Sequence, residues 1–225
     1  MSIDLKREQK ASLERPRLRY SVSARLFFTM MDLITGKKTT MAKAKLIEML
    51  ASIPYRAWEN RQYVRMTRRF RDPDLIRQAR RITAWGRDAQ DNELWHLLVI
   101  EEKMKEDGIK DPWFLAPAIT TFIVGSYKMF ARLLAFFNIR RAFLFNAEFE
   151  DHAEHVYARF VQDHPEWEEQ PVHTERANEV EDLTTWADVF RRIGLDERDH
   201  MNNSFVFCGR PESIVEYAGM PELPA

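Results

Sequence analysis

The chain has one cysteine, Cys208, in 225 residues. That excludes a disulfide framework, a cysteine-based zinc site, an iron–sulfur cluster and covalently attached c-type haem. It fits a reducing compartment. Glycine and proline are scarce, at 7 and 10, which excludes collagen-like and low-complexity chains. No stretch reads as a membrane span. The best candidate, residues 112–127, has 16 uncharged residues and is followed by Lys128 and Arg132, where a span needs about 20. The opening MSIDLKREQK lacks an apolar core, so no secretory leader is expected there.

What is present is apolar residue at 45% and charge at 31%, enough to bury a core. The net charge of −1 hides an asymmetry. Residues 1–90 carry 21 basic and 9 acidic side chains, a net of +12, and the rest carry 13 and 26, a net of −13. A basic half suggests an anionic surface as partner, lipid headgroups or nucleic acid. An acidic half rich in Glu and His suggests bound cations. The run from Arg65 to Arg81 invites a nucleic-acid reading. No recognised motif accompanies it, so a solvated or membrane-facing surface is expected and no nucleic-acid partner.

Periodicity predicts an all-α chain without strands or internal repeats. Residues 1–16 read as a basic arm, 17–205 as the main domain and 206–225 as an irregular tail. Helices are predicted over 17–35, 40–70 with an interruption at Pro54, 72–105, 113–137, 139–162 and 182–205. Asp72-Pro73-Asp74 starts the third, and Asp182 or Thr184 caps the last.

Two Glu-x-x-His pairs stand out, Glu93 with His96 and Glu197 with His200. At i,i+3 the two side chains share a helix face, so one metal ion can be gripped by both. The 40–70 helix adds Glu48, the lone acid between Asp32 and Glu59, set among apolar neighbours. A buried carboxylate calls for a cation, either a metal or Lys45 or Arg56. In the 139–162 helix Glu148, Glu150, Asp151 and His152 compete for the ligand role. Glu150 is preferred because Phe149, Ala153 and Tyr157 give its side an apolar setting. Asp151 and Glu154 suit a wet face. One Glu from each of two helices plus Glu-x-x-His from each of two others is the ligand set of a ferritin-like four-helix bundle with a di-iron carboxylate centre. Carboxylate oxygen with imidazole nitrogen favours iron or manganese.

At these residues the chain resembles the alternative oxidases, di-iron quinol oxidases that include the plastid terminal oxidase. Asn92-Glu93-Leu94-Trp95-His96-Leu97 is similar to the family's Asn-Glu-Arg-Met-His-Leu. Ile47-Glu48-Met49 running to Pro54 is similar to Leu-Glu-Thr followed by Val-Ala-Ala-Val-Pro. Phe149-Glu150-Asp151-His152-Ala153, with His155 and Tyr157, is similar to Leu-Glu-Glu-Glu-Ala followed by His and Tyr. Leu195-Asp196-Glu197-Arg198-Asp199-His200 is similar to Arg-Ala-Asp-Glu-Ala-His-His. The likeness runs from about residue 20 to 205, in family order. It differs at Met49, His152, Phe143 and Lys43, where the family has Thr, Glu, a polar residue and Arg.

The resemblance implies that Glu48, Glu93, His96, Glu150, Glu197 and His200 hold two iron ions. It implies that Asn92 and Asp196 orient the histidines and that Tyr157 is the redox-active tyrosine. It places the quinol pocket at Lys43, Ile47, His152 and Val156. The expected reaction is oxidation of two ubiquinols with reduction of dioxygen to two waters, cyanide-insensitive and without proton pumping. Carboxylates with His152 or Asp196 would relay protons. The alternatives are a di-iron hydroxylase of a membrane quinone or lipid, and a ferroxidase. The 17–35 and 113–137 helices combine bulky apolar residues with Arg or Lys, as interface-lying helices do, with Trp113, Tyr127 and Tyr20 at headgroup level. The expected setting is monotopic, as a homodimer on an anionic membrane, at the cytoplasmic face of a bacterial inner membrane or an equivalent organelle membrane.

Overall fold

The computed structural model of the chain describes residues 3–173, 176 and 183–223. Among these it is all-helical and without strands. Seven α-helices occur: α1 (Leu5–Glu14), α2 (Val22–Thr35), α3 (Met41–Arg68), α4 (Pro73–Glu106), α5 (Pro117–Phe137), α6 (Ile139–Asp163) and α7 (Trp186–Cys208). Five of them start at a residue whose side chain accepts from the third backbone N–H of the helix: Asp4, Ser21, Thr40, Asp72 and Thr185. Such caps satisfy donors that the helix itself leaves open.

Several boundaries differ from the sequence reading. The segment read as a basic arm contains α1, because Asp4 caps it and Glu8 enters its first turn. The helix over Pro54 is continuous. Pro117 begins α5 at its first turn, so Trp113–Leu115 forms a separate 3₁₀ turn. The cap of α7 is Thr185, while the Thr184 hydroxyl reaches the Asp188 carboxylate at 3.3 Å. Asp182 lies outside the described residues. α7 runs on to Cys208 and ends at Gly209, whose φ of +79° is left-handed, a conformation cheap only for glycine.

The chain divides into two compact units, Thr40–Phe143 and Met1–Thr39 with Leu144–Leu223. In the first unit α3 and α4 are antiparallel: Glu48 meets His96, Tyr55 meets Gly86 and Arg65 meets Gln78. The helices pass closely at Gly86, where a Cβ would lie 3.5 Å from the Tyr55 carbonyl oxygen, an ordinary contact distance. The core beside it is aromatic. Trp58 stacks on Trp85 at 5.3 Å, Tyr55 meets both edge-on, and Phe143 packs on Trp58 at 4.6 Å. Phe143, where the resembled family has a polar residue, is a buried core residue of this cluster. α5 packs along α3, and the Arg61 guanidinium on α3 donates to the carbonyls of Ala135 and Phe136 at its end.

In the second unit α1 lies on α7, and buried charge fastens it. Arg198 donates to Glu8 Oε2 at 2.6 Å and to Glu154 Oε1 at 2.9 Å. Arg15 bridges Asp151 and Glu154, both at 2.6 Å. Asp151 and Glu154, expected on a wet face, are fully buried, because α1 and the segment after it cover that side of α6. α2 packs on α6 through Phe27, which meets Phe145 and Phe149, and Phe28, which stacks on His152 at 4.0 Å.

Glu168 joins α1 and α7 to the 3₁₀ turn Pro165–Glu168. Arg191 holds its carboxylate from one side and Lys6 from the other at 3.0 Å. The Arg191 hydrogen bond keeps its pKa below the usual range against the opposing effect of burial. A carboxyl with a lower pKa folded than unfolded adds stability at neutral pH, lost as pH falls through its folded value. The urea midpoint is therefore expected to drop between pH 6 and pH 3, and to drop less in Glu168→Gln.

Two helices leave apolar stripes exposed. α2 presents Val22, Leu26, Met30 and Leu33, and α5 presents Phe122, Met129, Leu133, Phe136 and Phe137. Among the described residues α5 alone is long and apolar enough to cross a membrane by length and composition. Its 21 residues meet the length that residues 112–127 do not. Trp113 is exposed. Tyr127 is buried, and the Tyr20 hydroxyl donates to Asp151 at 2.7 Å. Those two tyrosines therefore serve packing and the charge network, where headgroup contact was expected.

Candidate metal centre

The helical spacing of the ligand residues places their side chains in two buried clusters, one in each unit. In the first unit α3 supplies Glu48 and α4 supplies Glu93 and His96. His96 Nδ1 lies 3.1 Å from Glu48 Oε2 and 3.5 Å from Glu93 Oε2. In the second unit α6 supplies Glu150 and α7 supplies Glu197 and His200, with His200 Nδ1 3.7 Å from Glu197 Oε2. Within each cluster the three residues offer ligand atoms within 4.8 Å of one another. All six side chains are buried, none of the residues being more than 6% exposed.

These donor sets suit a metal ion. Two carboxylates and one imidazole carry net negative charge in the low-dielectric interior, which a divalent cation neutralises. Hard oxygen with borderline nitrogen matches iron or manganese. A thiolate-seeking ion would find no sulfur ligand in either cluster.

The structure shows what the alternative partners of Glu48 and the competitors of Glu150 contact. Lys45 bonds Glu101 at 2.7 Å and Asp111 at 2.8 Å, and Arg56 bonds Gln90 at 2.9 Å. Neither cation is directed to Glu48, which meets His96. On α6, Glu148 accepts from the Ser21 backbone and hydroxyl. Asp151 accepts from Arg15, the Leu18 amide and Tyr20. Glu150 is left in the ligand cluster, its Oε1 accepting from Asn146 Nδ2 at 2.8 Å. Asn146 also reaches the Ser204 hydroxyl at 3.2 Å. It fixes one carboxylate oxygen, as residues behind metal ligands do. Sequence reasoning missed it, although its spacing four residues before Glu150 on one helix face was visible.

The other expected site residues fall as follows. Asn92 is half-buried on α4 beside Glu93. Asp196 is half-buried and bonded to Arg192 at 2.6 Å. Asp199, next to His200, accepts from the Tyr217 hydroxyl at 2.8 Å. Burial, with Asp196 nearby, pushes its carboxyl up to about 6. Of the residues expected around the quinol, Lys43 is buried and Ile47 half-buried on α3, and His152 and Val156 are half-buried one turn apart on α6. His152 stacks on Phe28, with Arg17 at 3.4 Å.

Tyr157 is buried on α6, two turns after Glu150, parallel to Phe190 at 6.2 Å. Gly194 on α7 makes room for it. A Cβ there would stand 3.3 Å from Tyr157 Cβ, tight enough to force a small shift. Gly194→Ala should change stability little, because the gain in helix propensity of roughly 1 kcal/mol offsets that shift. Gly194→Val should cost about 1–3 kcal/mol by overpacking, read from its thermal midpoint.

A search of protein-family models and of curated proteins finds no match to the chain.

Proposed function

We propose that the protein is a membrane-associated di-iron quinol oxidase that oxidises two ubiquinols and reduces one dioxygen to two waters. The observation that carries the reading is the pair of buried clusters, each built from a Glu-x-x-His pair on one helix and a lone Glu from another. Each cluster holds one iron, giving two per chain, and the resemblance to alternative oxidases supports their acting together. The exposed apolar stripes of α2 and α5 suit helices lying in a membrane interface, where quinols reside. The chain then works as a monotopic protein and, as the resemblance suggests, as a homodimer.

The irons supply the electron-transfer and oxygen-binding chemistry when bound. The protein supplies the rest. Lys43 donates a hydrogen bond from its ammonium group to the quinol headgroup. The Tyr157 phenol, buried against Phe190, can give up its proton and an electron and recover both. The Asp196 carboxylate, steadied by Arg192, and the His152 imidazole accept protons released by the quinol. Asn92 and Asp196 orient His96 and His200.

The test is dioxygen uptake by iron-loaded protein given a short-chain ubiquinol in the presence of cyanide. Rapid uptake with stoichiometric quinone, absent in Glu150→Ala, is expected. Oxygen found in a hydroxylated quinone or lipid would replace the oxidase reading by a hydroxylase. Two bound irons without quinol-dependent uptake would overturn the choice of electron donor.

A further inference from the structure

The turn joining α3 to α4 is the most basic part of the chain. Residues 61–81 hold eight arginines, no lysine and two acids, Asp72 and Asp74. Both acids have local duties. Asp72 caps α4 and pairs with Arg69 at 2.8 Å, and Asp74 pairs with Arg77. Among the described residues Arg68, Arg71, Arg80 and Arg81 pair with no acid and are exposed. Arg77, Arg80 and Arg81 line one open surface hollow, and Arg65, Arg69 and Arg81 line another together with Asp72 and Asp74. At the tip stands Phe70, between Arg69 and Arg71 and 78% exposed. A bulky aromatic side chain exposed at the end of a turn, in a segment dense in arginine, contributes nothing to the core of its own unit.

We infer that this hairpin end is a docking element for the anionic phospholipids of a bilayer, with Phe70 entering the acyl boundary and the arginines gripping headgroup phosphates. The charge is complementary. Guanidinium groups bind phosphate oxygens in a two-pronged fashion that ammonium groups do not match, and a basic cluster near an anionic leaflet adds binding strength with each charge. The placement agrees within the same unit. Arg61, two turns before the hairpin, holds the last carbonyls of α5. There Phe136 and Phe137 are 72% and 78% exposed. The basic hairpin is therefore continuous with the apolar end of the helix proposed to lie in the interface. This inference rests on the membrane placement proposed above and adds the element and the residues that recognise the expected anionic leaflet.

Flotation of the full-length protein with neutral phosphatidylcholine vesicles, and with vesicles containing phosphatidylglycerol, tests it. The wild type should bind both and prefer the anionic vesicles, with a preference that falls as salt rises. The triple variant Arg68→Gln, Arg80→Gln, Arg81→Gln should lose about 100-fold of its partition onto anionic vesicles. Its binding to neutral vesicles should be unchanged. Because these side chains are exposed and have no acidic partners, its circular dichroism and unfolding midpoint should match the wild type. Phe70→Ser should weaken binding to both vesicle types. Equal wild-type binding to neutral and anionic vesicles, or a triple variant with undiminished anionic preference, would overturn the hairpin assignment and leave the membrane placement standing. No binding to either vesicle would overturn both. Binding to single-stranded DNA but to no vesicle would reassign the surface to nucleic acid.

Discussion

Arg198→Ala should lower the folding stability by about 3 kcal/mol, measured by urea denaturation at pH 7. The guanidinium of Arg198 is fully buried and serves Glu8, Glu154, the Glu8 carbonyl and the Ser12 hydroxyl. Burial alone would lower its pKa, but Glu154 and Glu8 more than reverse this and hold it above its usual value. Breaking a buried pair on one side costs roughly 3–5 kcal/mol, because a charge is left without compensation. The lower end applies here, since Arg15 and Ser12 still hold Glu154 and the orphaned group is Glu8. Arg198→Lys keeps the charge and loses the fork geometry, so a smaller loss of about 1–2 kcal/mol is expected. In both variants the loss should appear with release of α1, which limited proteolysis near residue 15 would report. A stability loss with α1 still protected would show that the network acts elsewhere.

On the proposed di-iron oxidase function, the largest effect on activity is expected from His96→Ala. It removes the one nitrogen donor of its cluster and leaves Glu48 and Glu93 as adjacent like charges. Quinol-dependent oxygen uptake should fall by at least about 100-fold, beyond the roughly 10–100-fold typical of residues that only support a ligand. Bound iron should fall from about two per chain towards one, because the cluster of Glu150, Glu197 and His200 keeps all three of its donors. Asn146→Ala gives the contrast. It should keep the iron and lower uptake by roughly 10–100-fold, as Glu150 loses the donor on Oε1. Unchanged iron content in His96→Ala would remove His96 from the ligand set.

Much of the candidate centre could be read from the sequence because helical spacing is local. Glu93 with His96 and Glu197 with His200 declare a shared face three residues apart, and Glu48 is conspicuous as an acid in an apolar stretch. Choosing Glu150 among its neighbours rested on apolar context, and the structure supplies the stronger reason: Ser21 takes Glu148, and Arg15, Leu18 and Tyr20 take Asp151. What was not legible is α1. Ten residues with five charges look like a solvated arm. The groups that make the helix useful, Glu154 and Arg198, are 142 and 186 positions from Ser12. No local pattern announces partners that distant. The same distance hid the burial of Asp151 and Glu154, whose spacing fits an exposed helix face equally well.

The division of the chain also sets an order of events. The unit Thr40–Phe143 is contiguous in sequence, and its α3–α4 pair closes through a turn of four residues, 69–72. The other unit is assembled from both ends of the chain, and α1 finds its partners on α7. Short-range pairs form fast, and contacts between distant segments must first overcome loop-closure entropy. On the ribosome the first helix made therefore waits for the last, while the hairpin between them is already formed. In a refolding experiment, Trp58 and Trp85 in the contiguous unit should reach their native fluorescence before Trp167 and Trp186 do. Nascent chains stalled before residue 186 should bind a chaperone through the uncovered face of α6.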